Sequence, residues 1–221
     1  MAEIEGYQQV IDGARQIFAA YQPRLDASPD WETVPLEEVC DVRDGTHDSP
    51  RYVMTDGFPL ITSKNLRNGF VDFSDVDLIS RRDLDAINKR SKVDDGDILM
   101  PMIGTIGNPV IAKVDREFAV KNVALIKFHN SDRVINSFVR LVLGSPDYQA
   151  HMMKQTSGVA QKYISLGSLR ALEIPLPPLP EQRRIVAELD AEAAEVAAVR
   201  ALIPRTEAKI QRVLARVWGT A

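Results

Sequence analysis

The chain has 221 residues, 45% of them hydrophobic and 26% charged, and a formal net charge of −4. That length suits one large domain or one domain with appendages, and the balance of residue types excludes wholesale disorder. No apolar run reaches the roughly 18–20 residues of a membrane span. The N-terminal MAEIEGYQQV is acidic and lacks the apolar core of a secretory signal. A single cysteine, Cys40, excludes an internal disulfide, and no Cys/His cluster offers a zinc site. A soluble, cytoplasmic protein without membrane association is expected. The charge is uneven along the chain. Residues 1–40 carry −6 (two basic, eight acidic), residues 41–170 carry +2 (eighteen basic, sixteen acidic), and residues 171–221 balance. A mildly basic middle permits a polyanionic partner, because local potential matters more than net charge.

In chain order, Ile4, Tyr7, Val10, Ile11, Ala14, Ile17, Phe18 and Tyr21 recur at three- and four-residue steps. They predict a helix of about five turns ending before Pro23. Residues 24–31, with Ser28 and Pro29, read as a linker. The middle has another rhythm. Short apolar runs at 58–62, 97–102, 110–114 and 122–128 are bounded by Gly, Asp and Pro, and predict strands. Asp44-Gly45, Asp56-Gly57 and Asn68-Gly69 predict tight turns, because these residue types tolerate positive φ. Helices are predicted near 80–89 and 137–155.

The run Ile174-Pro-Leu-Pro-Pro-Leu-Pro180 is predicted extended. Beyond it, Leu189, Val196, Ile203, Ile210 and Val217 fall at seven-residue intervals, with a less regular row at Ile185, Ala193, Val199, Val213 and Leu214. Sustained seven-residue spacing predicts a helix packed lengthwise on another helix. Ala193, Ala194, Ala197 and Ala198 would let a partner approach closely, and the N-terminal helix has the length for it. The plain alternative is that both terminal helices merely cover the core. Pro204 leaves either a kink or a second helix starting there. The fold class is therefore α+β, a strand-rich middle flanked by long N- and C-terminal helices.

Catalytic patterns are missing. Gly104-Thr-Ile-Gly107 lacks the length and the Lys-Ser/Thr ending of a phosphate loop. No Gly-x-Ser-x-Gly elbow occurs, and Leu176 precedes Pro177-Pro178 where an aminomethyltransferase motif needs Asn or Asp. Asp94, Asp95 and Asp97 could serve a metal-dependent nuclease, but Asp-Asp-Gly-Asp better suits a turn entering a strand. Binding features stand out more. Lys64, Asn65 and Arg67 follow an apolar strand; Arg and Lys suit phosphates or guanine, and Asn suits adenine. A solvated polar loop is the plainer reading. Residues 155–163 form a second polar, glycine-containing loop ending in Gln161, Lys162 and Tyr163. Arg81, Arg82, Lys89, Arg90 and Lys92 gather on or beside one predicted helix.

The run from Tyr163 through Ile174-Pro-Leu-Pro-Pro-Leu-Pro180 to Glu181-Gln-Arg-Arg-Ile-Val186 resembles the end of a target recognition domain in specificity subunits of Type I restriction–modification systems. Upstream, the segment from Val93 through Gly96-Asp-Ile-Leu99 to Gly107 is similar to that family's strand and Gly-x-x-Gly turn, and residues 31–41 and 45–50 resemble its opening. The resemblance implies a spacer helix over 1–24, a target recognition domain over 31–175, and a proline-rich turn with a conserved helix over 176–221. The two helices would form an antiparallel coiled-coil-like pair with Leu189, Val196, Ile203 and Ile210 in the seam. It further implies a non-catalytic subunit that reads one half of a bipartite site in double-stranded DNA. Such a subunit directs an adenine DNA methyltransferase subunit and an associated restriction subunit, with S-adenosylmethionine held by the methyltransferase and no cofactor of its own. Full specificity subunits carry two recognition domains, and this chain has room for one. A half-subunit that homodimerises and a C-terminal half of a longer chain both stay open, the spacer-like residues 3–15 slightly favouring the latter. Candidate DNA contacts are Thr46, His47, Lys64, Asn65, Arg67, Thr105, Gln161, Lys162 and Tyr163, with Arg90 and Lys92 as phosphate contacts. The competing readings are a self-contained nuclease at Asp94–Asp97 and an interaction scaffold that reads no sequence.

Overall fold

The computed structural model of the chain describes residues 11–13, 16, 24–25, 27–104, 106–129, 131–156 and 162–218. Thr105, Gln161, the N-terminal stripe apart from Ile11, and the side chains of Val213, Leu214 and Val217 lie outside what is described. Two compact units emerge. Residues 24–186 make a head, and the described residues of 1–23 group with those of 187–221.

The head begins with β1 (Thr33–Pro35), α1 (Leu36–Val39) and β2 (Asp41–Asp44), and continues through β3 (Tyr52–Val53), β4 (Phe58–Ile61), a 3-10 turn at Ser63–Asn65, β5 (Leu66–Arg67), β6 (Phe70–Val71) and β7 (Asp77–Ile79). Then follow α2 (Arg81–Ser91), β8 (Ile98–Pro101), β9 (Val110–Ile111), β10 (Ala119–Val120) and β11 (Val123–Lys127). The last part holds α3 (Asn136–Gly144), α4 (Pro146–Lys154), α5 (Leu166–Arg170) and β12 (Glu173–Pro175), before the long α6 (Leu179–Trp218). The four predicted strand runs hold β4, β8, β9 and β11.

One four-stranded sheet has the order β2-β11-β8-β9 and is antiparallel throughout. Every residue of β8 and β11 is buried, as expected for strands covered on both faces. The second sheet, β10-β4-β7-β3, pairs β10 parallel to β4 and the rest antiparallel. Ile61 and Val120 of this sheet pack with Leu99, Val110 and Leu125 of the first in one core cluster. A separate pairing of β1 with β12, Val34 opposite Ile174, joins the two ends of the head.

Gly45 is the stitch between the sheets. Its N–H donates to the Val123 carbonyl at 3.0 Å, and the Thr46 N–H donates to the Val120 carbonyl at 3.0 Å. A Cβ at position 45 would stand 2.2 Å from the Val120 oxygen, so only glycine fits. The Asp44-Gly45 pair thus serves close approach, whereas Asn68-Gly69 makes the predicted turn. Both of its residues have positive φ (53° and 81°) in the two-residue loop between β5 and β6, the type I′ pattern.

Two expectations change, and one open choice narrows. The helix predicted over 137–155 is two helices, because Ser145 precedes a proline and adopts an extended backbone (φ −70°, ψ 148°). Pro146 then opens α4, where its missing N–H costs nothing. At Pro204 no second helix starts; α6 runs through it as one 40-residue helix, about 60 Å long. Its seven-residue row is visible in the burial, since Leu189, Val196, Ile203 and Ile210 are half-buried among exposed neighbours. Ile11 is buried and lines a small pocket with Glu207, Ile210 and Gln211, which places the N-terminal helical residues against this part of α6. The alanines at 193, 194, 197 and 198 are exposed, so among the described residues they form no close-approach surface.

The Asp94–Asp97 cluster also finds a structural task. Lys127, at the end of β11, is buried, and its ammonium donates to Asp97 Oδ2 (2.5 Å), Asp94 Oδ2 (2.8 Å) and the Lys92 carbonyl (2.9 Å). Its three N–H donors are thereby matched. The lysine holds the Asp94 carboxyl below its ordinary value, while burial pushes the Asp97 carboxyl up against that pull. These carboxylates neutralise a buried cation, which gives the nuclease reading no support. Among the described residues no group of three or more His, Cys, Asp or Glu side chains is placed to hold a metal ion.

Two substitutions test this core. Gly45→Ala should destabilise the head by at least about 1–3 kcal/mol in denaturant melts, because backbone must move to admit the methyl. Lys127→Met should cost about 3–5 kcal/mol by leaving Asp97 buried without its cation, and Lys127→Met with Asp97→Leu should recover much of that loss.

Candidate nucleic-acid interface

α2 forms because Ser80 caps it, accepting from the Asp83 N–H at 3.1 Å, and because Leu84 and Ile87 turn one face to the core. Lys89 and Arg90 fall in its last turn, where cations complement the helix dipole. The loop after β2 is held beside this helix by the Gly45 stitch. Between them lies a cleft of roughly 710 Å³ lined by Thr46, His47, Asp48 and Pro50 on one side and Asp83, Ala86, Ile87, Arg90 and Ser91 on the other.

Asp44 organises the cleft. Its buried carboxylate accepts from Arg90 Nη2 at 2.6 Å and pairs with His47 Nε2 at 2.7 Å. Arg90 also donates to the Gly45 carbonyl at 3.2 Å, and Ser91 Oγ donates to the Asp44 carbonyl at 2.7 Å. The second ring nitrogen of His47, Nδ1, stands 2.9 Å from Asn122 Oδ1. With acceptors on both sides the doubly protonated ring is favoured, and the hydrogen bonds to Asn122 and then Asp44 raise the His47 pKa above its ordinary value. Arg90 opposes this. The result is an imidazole drawn towards its protonated form beside a guanidinium, both largely exposed.

A second cleft, of roughly 610 Å³, lies between the Asn68-Gly69 turn, the 108–110 segment and the facing parts of α3 and α4. Arg67 lines it, and the Arg67 Nε donates to the Lys64 carbonyl, which fixes the side chain. Lys64 is exposed, with its ammonium 3.4 Å from Asp75. Arg140 and Gln149 face the same space. A third cleft, roughly 440 Å³, mixes Glu37, Glu38, Asp41 and Asp132 with Lys127, Arg133 and Arg170; its carboxylates suit a polyanion poorly.

Asn65 is corrected. The expected adenine contact is replaced by a capping role, since the residue is 2% exposed and its amide is fully engaged. Its Oδ1 accepts from Thr62 N–H and Oγ1, and its Nδ2 donates to the carbonyls of Asp72 and Asp75. This is a capping box that shapes the loop carrying Lys64 and Arg67. The other candidates divide by place. Thr46, His47 and Arg90 share the first cleft, and Arg67 lines the second. Lys162 and Tyr163 lie beside the 103–104 turn, where Gly104 N–H donates to the Lys162 carbonyl and Ile103 pairs with Tyr163. Lys92 is exposed, 3.8 Å from Asp94. Sequence reasoning missed Asp44, Asn122, Asn68, Asn108 and Gln149. The turn pairs at 44–45 and 68–69 were visible, but only as backbone signals.

A family model described as the Type I restriction modification DNA specificity domain matches residues 29–198. The specificity subunit of the Type I restriction enzyme EcoBI from Escherichia coli is 30% identical over 135 residues, 61% of this chain and 28% of that protein. That of MjaVIII from Methanocaldococcus jannaschii is 27% identical over 167 residues, 72% of this chain and 39% of that protein. The chain thus spans well under half the length of these relatives. Among solved structures, the HsdS subunit from Thermoanaerobacter tengcongensis aligns with a TM-score of 0.67 at 22% identity, over 99% of this chain and 54% of that one. A chain from a study of assembly and conformational transition in the type I R-M system gives 0.65 at 24% identity, over 96% and 55%. These two likenesses show the α+β fold with its long C-terminal helix.

The His47 ring should reveal itself through pH. A raised folded-state pKa means that its contribution to stability is complete below about 6.5, the unfolded value, and is lost as pH rises through the folded value. Melting temperatures of the wild type and of His47→Gln should therefore diverge at acidic pH and converge above neutrality. A proton NMR titration of the ring should give a midpoint above 6.5 that falls in Asn122→Ala.

Proposed function

Because the chain belongs to the family of Type I restriction–modification DNA specificity domains, we propose that its head reads a sequence in double-stranded DNA, as one half of a bipartite site. The head does so without catalysis. It directs an adenine DNA methyltransferase subunit, which binds S-adenosylmethionine, and through it a restriction subunit. The helical unit supplies the docking and spacing element. The observation that carries this reading is the family match, which covers the head from residue 29 onward and runs into α6. Two features of the head agree with it. One cleft presents Arg90, from the last turn of α2, beside His47 on the loop after β2, and the other presents Arg67 between polar turns. Such groups bind phosphate and base edges in duplexes.

The test is selection from a pool of duplexes with a randomised central segment, using the full chain together with the methyltransferase subunit. One enriched sequence is expected; a bound pool without sequence preference would overturn the reading. Within the same assay, Arg67→Ala and Lys64→Ala should weaken binding to matched and unmatched duplexes alike. If each contacts one phosphate, each should lower the slope of log affinity against log salt by about 1.

A further inference from the structure

Among the described residues, four other than glycine hold positive φ: Asp56, Asn68, Asn108 and Asn122. The left-handed conformation costs an ordinary residue roughly 1–2 kcal/mol, and glycine avoids that cost. Asn122 has a visible reason to be asparagine, because its amide holds His47. Asn68 and Asn108 have none of that kind. Both are exposed, and among the described residues neither amide makes a hydrogen bond within the protein. Each sits in a two-residue left-handed step, Asn68-Gly69 (53°, 81°) and Gly107-Asn108 (94°, 56°), and both line the 610 Å³ cleft with Arg67 between strand and turn. The second turn is braced from below. Gln149 lies where a Cβ at Gly107 would meet it at 3.1 Å, and its amide donates to the Gly144 carbonyl at 3.1 Å. Two unengaged amides therefore stand on left-handed turns at the wall of a cleft that also carries the Arg67 guanidinium. An amide offers a donor and an acceptor together, the pattern that bridges a base edge, whereas a guanidinium suits phosphate or guanine.

We propose that the two turns straddle one strand of the duplex, with its phosphate backbone in the cleft against Arg67, and that the Asn68 and Asn108 amides contact base edges and help set the recognised sequence. This rests on the DNA-reading function above and assigns part of it to residues that otherwise look like turn formers.

The positive φ values supply a clean experiment. Asn68→Gly and Asn108→Gly remove the amides while keeping, or easing, the backbone conformation, so melting temperatures should hold or rise. The full chain with the methyltransferase subunit is used to select from the randomised duplex pool. Competition between the selected duplex and its single-base variants then measures discrimination. Each glycine variant should lose roughly tenfold discrimination at one or two positions and keep it elsewhere. Asn68→Asp and Asn108→Asp tolerate the same φ but offer only acceptors, and should change the preferred base at those positions. Wild-type discrimination retained in all four variants would overturn the proposal while leaving the DNA-reading function intact. A wild-type complex that enriches no sequence would instead remove the function, and the proposal with it.

Discussion

Backbone passes so close to backbone at residue 45 that a single methyl group would collide with the Val120 carbonyl. The contact joins the end of β2, in one sheet, to the segment leaving β10, in the other, and the Lys121 N–H continues the join to the Ile61 carbonyl at 2.8 Å. From this follows the placement of the first cleft. Asn122 is brought under His47, Asp44 is turned inward, and Arg90 reaches over from α2 to meet it. The cleft's basic groups owe their positions to a backbone crossing that carries no charge of its own.

Electrostatics in the head follow a consistent pattern of aspartates spent on cations. Asp44 fixes His47 and Arg90, Asp97 and Asp94 fix Lys127, and Asp41 fixes Arg43. A net charge of −4 over the chain is therefore a poor guide to the potential at a cleft. In the first cleft the carboxylate is buried beneath the basic groups it organises, so its negative charge faces inward while they face out.

Much of the architecture could be read from local pattern. The strands at 58–61, 98–101 and 123–127, the helix at 81–91 and the type I′ turn at 68–69 all follow from periodicity and turn chemistry. So does the row Leu189, Val196, Ile203 and Ile210. What escaped was nonlocal or ambiguous by type. Asn65 carries the same amide as Asn68, and only burial by the carbonyls of residues 72 and 75 separates a loop-shaping residue from an exposed one. Lys127 ends an apolar run and gives no local sign of the two aspartates, 30 and 33 residues away, that surround it. The break at Ser145 is legible only in the proline that follows it, within a stretch that otherwise reads as helical. Pro204 left a kink and a second helix both open, and the helix continues because an exposed helix can leave one carbonyl to water.

The start of α6 has a consequence for how the chain acquires its shape. Gln182 is fully buried, and its amide binds the carbonyls of Arg133 and Pro177 and the N–H of Ile135, so the first turn is bolted into the head. Opening a helix is its unfavourable step, because several residues must be ordered for the first hydrogen bond, while extending it is nearly free. Here the folded head performs that opening step. A 40-residue rod with mostly solvated faces can then grow from a ready-made template, and it should melt from its far end inward.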